Sequence, residues 1–171
     1  RELRELVELT DTPTTTTLMG LGVLPSDHPL NIGMLGMHGA RYTNRILDEC
    51  DLVIAIGARF DDRAIGKATA FAAQAKIVHI DIDARELGKI SSPVLAIHAD
   101  ARSALQALLR RARRIERPEW LARVAELRRL HPLVMQEAHR VCSPYGIVRA
   151  VARWAPQDCI VTTDVGQHQM W

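Results

Sequence analysis

Apolar positions open the chain at helical spacing, with Leu3, Leu6, Val7 and Leu9 in RELRELVEL, the stripe of an amphipathic helix. Thr10–Pro13 breaks it, and four β-branched residues, Thr14–Thr17, predict a short strand. From Leu18 to Gly39 the pattern dissolves into a long loop holding five of the ten glycines, Pro25, Pro29 and three methionines. Long loops in compact domains are commonly functional. Helical spacing returns over Ala40–Cys50. LVIAI, between Asp51 and Gly57, reads as a strand buried on both faces. A polar loop, Ala58–Gly66, and a short helix over Lys67–Ala75 follow. Lys76–Ile82 reads as a strand, Ala84–Lys89 as a helical turn and Val94–His98 as another strand. Asp100 caps a helix over Ala101–Arg117, with Leu105, Leu108 and Leu109 inward and arginines outward. After Pro118 comes an amphipathic helix, Trp120–Ala138. Pro144–Trp154 reads as a helix with Pro in its first turn, and Ile160–Thr163 as a strand entering the turn Asp164–Gly166.

Strands alternating with helices predict an α/β fold: an open, Rossmann-like parallel sheet flanked by helices, with right-handed crossovers. The expected division is an α/β domain over 1–117, a helical connector over 118–143 and the start of a second α/β domain over 144–171. The chain opens without Met on a helix already under way and closes one turn into another. That predicts a piece of a longer polypeptide.

Composition narrows the function classes. Lys and Arg number 22 against 20 Asp and Glu, a net +2, which argues against a nucleic-acid partner. No apolar run approaches the ~20 residues of a membrane span. Cys50, Cys142 and Cys159 are odd in number and form no C-x-x-C. They read as small buried hydrophobes in a reducing, cytoplasmic setting.

Ligands of parallel sheets sit at the carboxyl ends of the strands. Here every predicted strand exits into glycine, arginine or acid: Gly20 and Gly22; Gly57, Arg59, Asp61 and Arg63; Asp81 and Asp83; Asp100. Such a convergence suits a dinucleotide, with amides and guanidinium on the pyrophosphate and a carboxylate on ribose hydroxyls. Asp81 and Asp83, two apart, project to one face of a strand. Asp81 is the ligand candidate, and Asp83 is accounted for by capping Ala84–Lys89 alone. Arg59 and Arg63 flank two acids and read equally as pyrophosphate contacts or as a local ion-pair cluster. Gly33–Gly39 has glycine every third residue before a helix. It permits close approach of a flat ligand, but a structural turn leading into the helix is the reading that normally wins. It is not G-x-G-x-x-G, so no nicotinamide cofactor is indicated. No His pair has i, i+4 spacing, so no metal is assigned. No nucleophile–base pair stands out, so no residue is assigned as catalytic.

TTTTLMGLG, GMLGMHGARYTNR, LVIAIGARFDDRAIGK, KIVHIDIDARELGK and VTTDVGQHQMW together resemble the catalytic subunits of the acetohydroxyacid (acetolactate) synthases, within the thiamine-diphosphate enzymes. The resemblance runs in order over nearly the whole chain. It implies that 1–117 is most of a central FAD-binding domain lacking its first strand. It also implies that 144–171 opens a diphosphate-binding domain. The implied FAD contacts are Thr17, Leu18, Leu35, Gly36, Met37, His38, Gly57, Ala58, Arg59, Phe60, Asp61, Asp81, Ile82, Asp100 and Ala101. The implied thiamine-diphosphate contacts are Gln167 and His168. Ala99 departs from the glycine usual in the family. The resemblance implies Mg²⁺ held by residues outside this chain, small 2-oxo acid substrates and a homo-oligomeric parent, and it admits a regulatory subunit. The implied reaction joins a two-carbon unit from pyruvate to a second pyruvate or to 2-oxobutyrate, with loss of CO₂, in branched-chain amino-acid biosynthesis. The chain alone is expected to be inactive. A glyoxylate carboligase and a non-catalytic flavin-binding module of the same fold remain as alternatives.

Overall fold

Helix α1, Glu2–Thr10, turns Val7 inward against Leu24 and Leu30, with Leu3 and Leu121 packed beside them. Asp11, in the left-handed region at φ 46°, ends it. The helix is tied to distant chain. Gln106 Nε2 donates to Glu2 Oε1 at 3.2 Å, the Ile115 amide to the Leu9 carbonyl at 3.1 Å, and Arg117 Nε to the Thr10 carbonyl at 3.0 Å. The computed structural model describes residues 1–135, 137–156, 158–164 and 166–167.

Strand β1, Thr14–Thr16, pairs in parallel with β2, Asn31–Met34. Sequence reading places β2 inside a loop. The strand hides because Ile32 is its one buried residue and Gly33 sits at φ 79°, with the register slipping between Thr14 and Thr16. A short 3₁₀ turn, Leu18–Gly20, leaves β1. Helix α2, Arg41–Glu49, follows and buries Thr43, Ile46 and Leu47.

A second parallel sheet runs in the order β3-β4-β5, over Leu52–Ile56, Lys76–Asp81 and Leu95–His98. Parallel sheets flanked by helices are therefore the architecture. β3 departs from the expected two-sided burial. It is an edge strand, with Ala55 buried and Leu52 and Ile54 exposed. Ala55 and Ile77 pack with Phe60, and Val53, Ile65 and Phe71 close that cluster.

Several helices are shorter than their sequence patterns. Helix α3 occupies Asp62–Ile65, inside the expected loop, and 67–75 forms turns instead of a helix. Asp61 starts α3 early by accepting the Ala64 amide at 2.9 Å. Helix α4 covers Ala101–Leu109 and stops before the arginines at 110, 111, 113, 114 and 117, where like charges three and four apart would face one another on a continued helix. Helix α5 covers Pro118–Leu130, with Pro118 in its first turn. It ends at His131 because Pro132 disfavours helical backbone at the residue before it. Val124 and Leu127 of α5 pack on Ile32 and Ile46. Arg123 adds a fork to both oxygens of Glu49 at 2.7 Å. That guanidinium holds the Glu49 carboxyl below the ordinary carboxylate range.

The chain divides into two units, Arg1–Pro132 and Leu133–Trp171, so α5 belongs to the first. In the second, α6 spans Pro144–Trp154, and the Ser143 hydroxyl caps it by accepting the Gly146 amide at 3.0 Å. Residues 160–163 form no strand, and Ile160 and Val161 are exposed. A parallel strand needs a neighbour to complete its ladder, and the described residues of this unit contain none. The cysteines also differ from expectation: Cys142 and Cys159 are exposed and Cys50 is half-buried. Among the described residues no helix is long and apolar enough to cross a membrane.

Candidate functional site

The exits of β3, β4 and β5 open onto one cavity of about 110 Å³, lined in part by Gly57, Asp81, Ile82, Ala99, Asp100 and Ala101. Parallel register puts them there. Ile56 pairs with Ile80, and Asp81 with His98, so the three strands end side by side. The Gly57 amide donates to the Ile80 carbonyl at 2.8 Å and the Ala99 amide to the Asp81 carbonyl at 3.0 Å. Gly57 has φ 60°, and a Cβ there would meet nothing within 4 Å. Its bare backbone therefore faces open space.

The acids differ in what they have left to give. Asp81 is nearly buried, and its Oδ1 accepts the Asp83 amide at 2.8 Å. Asp83 lies past the end of β4, so the two do not share a strand face as expected. Its Oδ1 caps the Arg85 amide at 3.0 Å, and its carboxylate takes the Arg85 guanidinium at 2.8 Å. That hydrogen bond, then the amide, hold the Asp83 carboxyl down at about 2. Asp100 caps α4 by accepting the Ser103 amide at 2.9 Å, and this bond lowers its carboxyl too. Asp61 is spent on the α3 cap, with Arg59 Nη2 at 3.8 Å from its other oxygen. The Arg59 side chain is 71 % exposed. Phe60 is buried among core residues, 5.9 Å from the Phe71 ring centroid and 4.9 Å from that of His79. Its side chain is not offered to a ligand.

A second, wider groove of about 460 Å³ is lined in part by Gly36, Met37, Asn44, Asp48, Gly66 and Phe71. Asn44 clamps Gly36 from both sides, its Oδ1 accepting the Gly36 amide at 2.9 Å and its Nδ2 donating to the Gly36 carbonyl at 3.0 Å. The Met37 amide donates to the Arg63 carbonyl at 3.0 Å. A Cβ on Gly36 would lie 2.3 Å from that same carbonyl oxygen. The close approach that Gly36 permits is therefore to the chain's own backbone.

Residues 1–108 match the family model described as thiamine pyrophosphate enzyme, central domain. The chain belongs to this family. It is also similar over 99% of its length to three acetolactate synthases. Identity is 53% with the isozyme 1 large subunit of Escherichia coli K12, 45% with the chloroplastic synthase 1 of Zea mays, and 43% with the large subunit of Porphyra purpurea. The chain spans 30%, 28% and 30% of these relatives, respectively.

Within this thiamine pyrophosphate enzyme central domain, the structure gathers Gly57, Asp81, Ile82, Asp100 and Ala101 at one cavity and Gly36 and Met37 at the wider groove. Thr17 precedes the 3₁₀ turn, Leu18 and His38 are exposed, Leu35 is half-buried, and Ala58 packs beside the Phe60 cluster. None of these lines either space. Gln167 is exposed, and His168 lies outside the described residues. Sequence reasoning missed Asn44, His79 and His98. His98 Nε2 lies 2.9 Å from the Ile82 carbonyl oxygen, at the cavity's rim. Asn44, eight residues after Gly36 on the first turn of the following helix, was the one with a readable signal.

Proposed function

We propose that the protein carrying this chain is an acetolactate synthase that uses thiamine diphosphate, Mg²⁺ and FAD. The single observation behind the flavin assignment is the cavity where three parallel strands end, with bare Gly57 backbone beside a carboxylate, Asp81, that retains acceptor capacity. These residues fit a dinucleotide. Asp81 would accept from ribose hydroxyls. The exposed Arg59 guanidinium would neutralise the pyrophosphate. The amino end of α4, nine residues long, adds amide dipoles favourable to an anion. Thiamine diphosphate, when bound, supplies the electron sink for decarboxylating a 2-oxo acid. In this chain Gln167 and His168 would hold its diphosphate, with the metal ligands elsewhere in the protein.

In this reading 1–117 holds FAD, 118–143 connects, and 144–171 opens the thiamine-diphosphate part. The substrates are pyruvate and 2-oxobutyrate. The protein is a cytoplasmic homo-oligomer whose larger chain pairs with a small regulatory one. Colorimetric acetoin detection tests the assignment. The full-length protein with pyruvate, thiamine diphosphate, Mg²⁺ and FAD should form acetolactate, and the 171-residue chain alone should not. Turnover of glyoxylate in place of pyruvate would replace the assignment with a glyoxylate carboligase. Flavin binding without turnover of either would favour a non-catalytic flavin module.

A further inference from the structure

His79 is fully buried in the middle strand of the β3-β4-β5 sheet, and neither ring nitrogen has a hydrogen-bond partner. A buried polar atom without a partner forfeits its hydration and gains nothing in return. Two such atoms on one ring mark a group kept for some reason other than packing. One side of the ring is explained, since it meets Phe60 edge to face at 4.9 Å, with an interplanar angle of 78°. On the other, Nε2 points toward Asp81 Oδ2 at 3.9 Å. The two residues are i and i+2 on β4, so their side chains share a face of the strand. Asp81 continues to the cavity at the strand exit, where His79 does not reach.

We propose that His79 is a positioning residue for Asp81, resting on the flavin reading above. The Asp83 amide already fixes Oδ1. An Nε2–H on His79, closing onto Oδ2, fixes the second oxygen. A carboxylate held at both oxygens cannot turn about its Cβ–Cγ bond, and each oxygen keeps a lone pair for a ribose hydroxyl. The separation of 3.9 Å is about 1 Å beyond a formed N–H···O bond. A small side-chain movement closes that gap. Phe60, wedged between His79 and Phe71, limits the ring's freedom to turn away.

Flavin dissociation from the full-length protein, followed by the recovery of free-flavin fluorescence, tests this. His79→Leu keeps the buried volume and removes the donor. It should weaken flavin binding about tenfold, the size of one lost hydrogen bond to a charged group. His79→Gln carries an N–H at the reach of Nε2 and should restore binding to within about threefold. In an Asp81→Asn background, His79→Leu should add no further loss. Wild-type affinity in His79→Leu would overturn the proposal. So would equal losses in the Leu and Gln variants, which would mean packing alone, or an undiminished loss in the Asp81→Asn background. A ring-nitrogen NMR measurement needs no flavin and leaves His79 in place. It should find the His79 proton on Nε2 in the wild type and redistributed in Asp81→Asn; a proton on Nδ1 in both would also overturn it. Failure of the wild-type protein to take up flavin would count against the flavin reading, and the NMR result would still decide the pairing.

Discussion

At Gly36 an added Cβ would stand 2.3 Å from the Arg63 carbonyl oxygen, whereas past the end of β3, at Gly57, it would meet nothing within 4 Å. Both glycines have positive φ, 86° and 60°, and both are among the flavin contacts expected from the sequence. Around Gly36 the available groups are spent on the chain itself, on Asn44 and on the Arg63 carbonyl. Around Gly57 they are left open, with a cavity beside them and Asp81 still able to accept. Glycine at a positive φ is thus two different devices, a joint in one place and a clearing in the other. What lies within contact of the missing side chain tells them apart.

Substitutions at these positions should separate the two. Gly36→Ala combines overpacking with left-handed backbone strain, together about 3 kcal/mol or more of stability. Urea denaturation should show a correspondingly lower midpoint. A loss under 1 kcal/mol would mean that the loop yields easily and that no joint exists. Arg59→Ala removes an exposed side chain that lies 3.8 Å from Asp61. Stability should hold, while flavin affinity in the full-length protein falls by about 1.5–3 kcal/mol. Unchanged affinity by titration would turn Arg59 back into a surface charge. Gly57→Ala carries only the left-handed cost, about 1–2 kcal/mol, so its denaturation midpoint should move less than that of Gly36→Ala. An equal shift would erase the contrast between joint and clearing.

The smallest effect is expected at Asp83, the neighbour of Asp81 whose oxygens are already committed. Its carboxyl is lowered from 3.8 to about 2, first by the Arg85 side-chain hydrogen bond and then by the Arg85 amide. A depressed carboxyl stabilises the fold above its unfolded value, and that contribution disappears as the pH falls through the folded one. The melting temperature of Asp83→Asn should therefore lie slightly below wild type at neutral pH and converge with it between pH 3.8 and 2. The exposure of the pair keeps the difference small. A difference that persists at pH 2 would assign it to the turn and not to charge.

What the sequence disclosed follows the same line. β3, β4 and β5 and the helices α1, α2, α4, α5 and α6 were legible because local spacing or capping residues specify them. β2 was not, because its parallel pairing with β1 is non-local and Gly33 interrupts any alternation. The strand expected over 160–163 was read from β-branched residues alone, and propensity forms no ladder without a neighbour. At the site, strand exits ending in glycine and acid pointed to Gly57, Asp81 and Asp100, whose convergence the parallel register then supplies. His79 was invisible as anything but a core residue. Its distinction lies in two unpartnered nitrogens and a carboxylate two positions along the strand, and neither burial nor hydrogen bonding can be read from a letter. The end of α4 was overestimated because leucine spacing says where a helix starts to bury, and the arginines that stop it lie beyond the last leucine.

The ties that hold α1 set a schedule. Its partners Gln106 and Arg117 lie 104 and 107 positions further on, and Leu121 is later still. During synthesis, at roughly 5–20 residues per second, this helix waits several seconds before α4 and α5, which complete its packing, leave the ribosome. Contacts of such long sequence separation also slow refolding. Over that interval the leucines of the opening helix are exposed. A nascent chain stalled before residue 106 would be the form of this protein most open to chaperones and proteases.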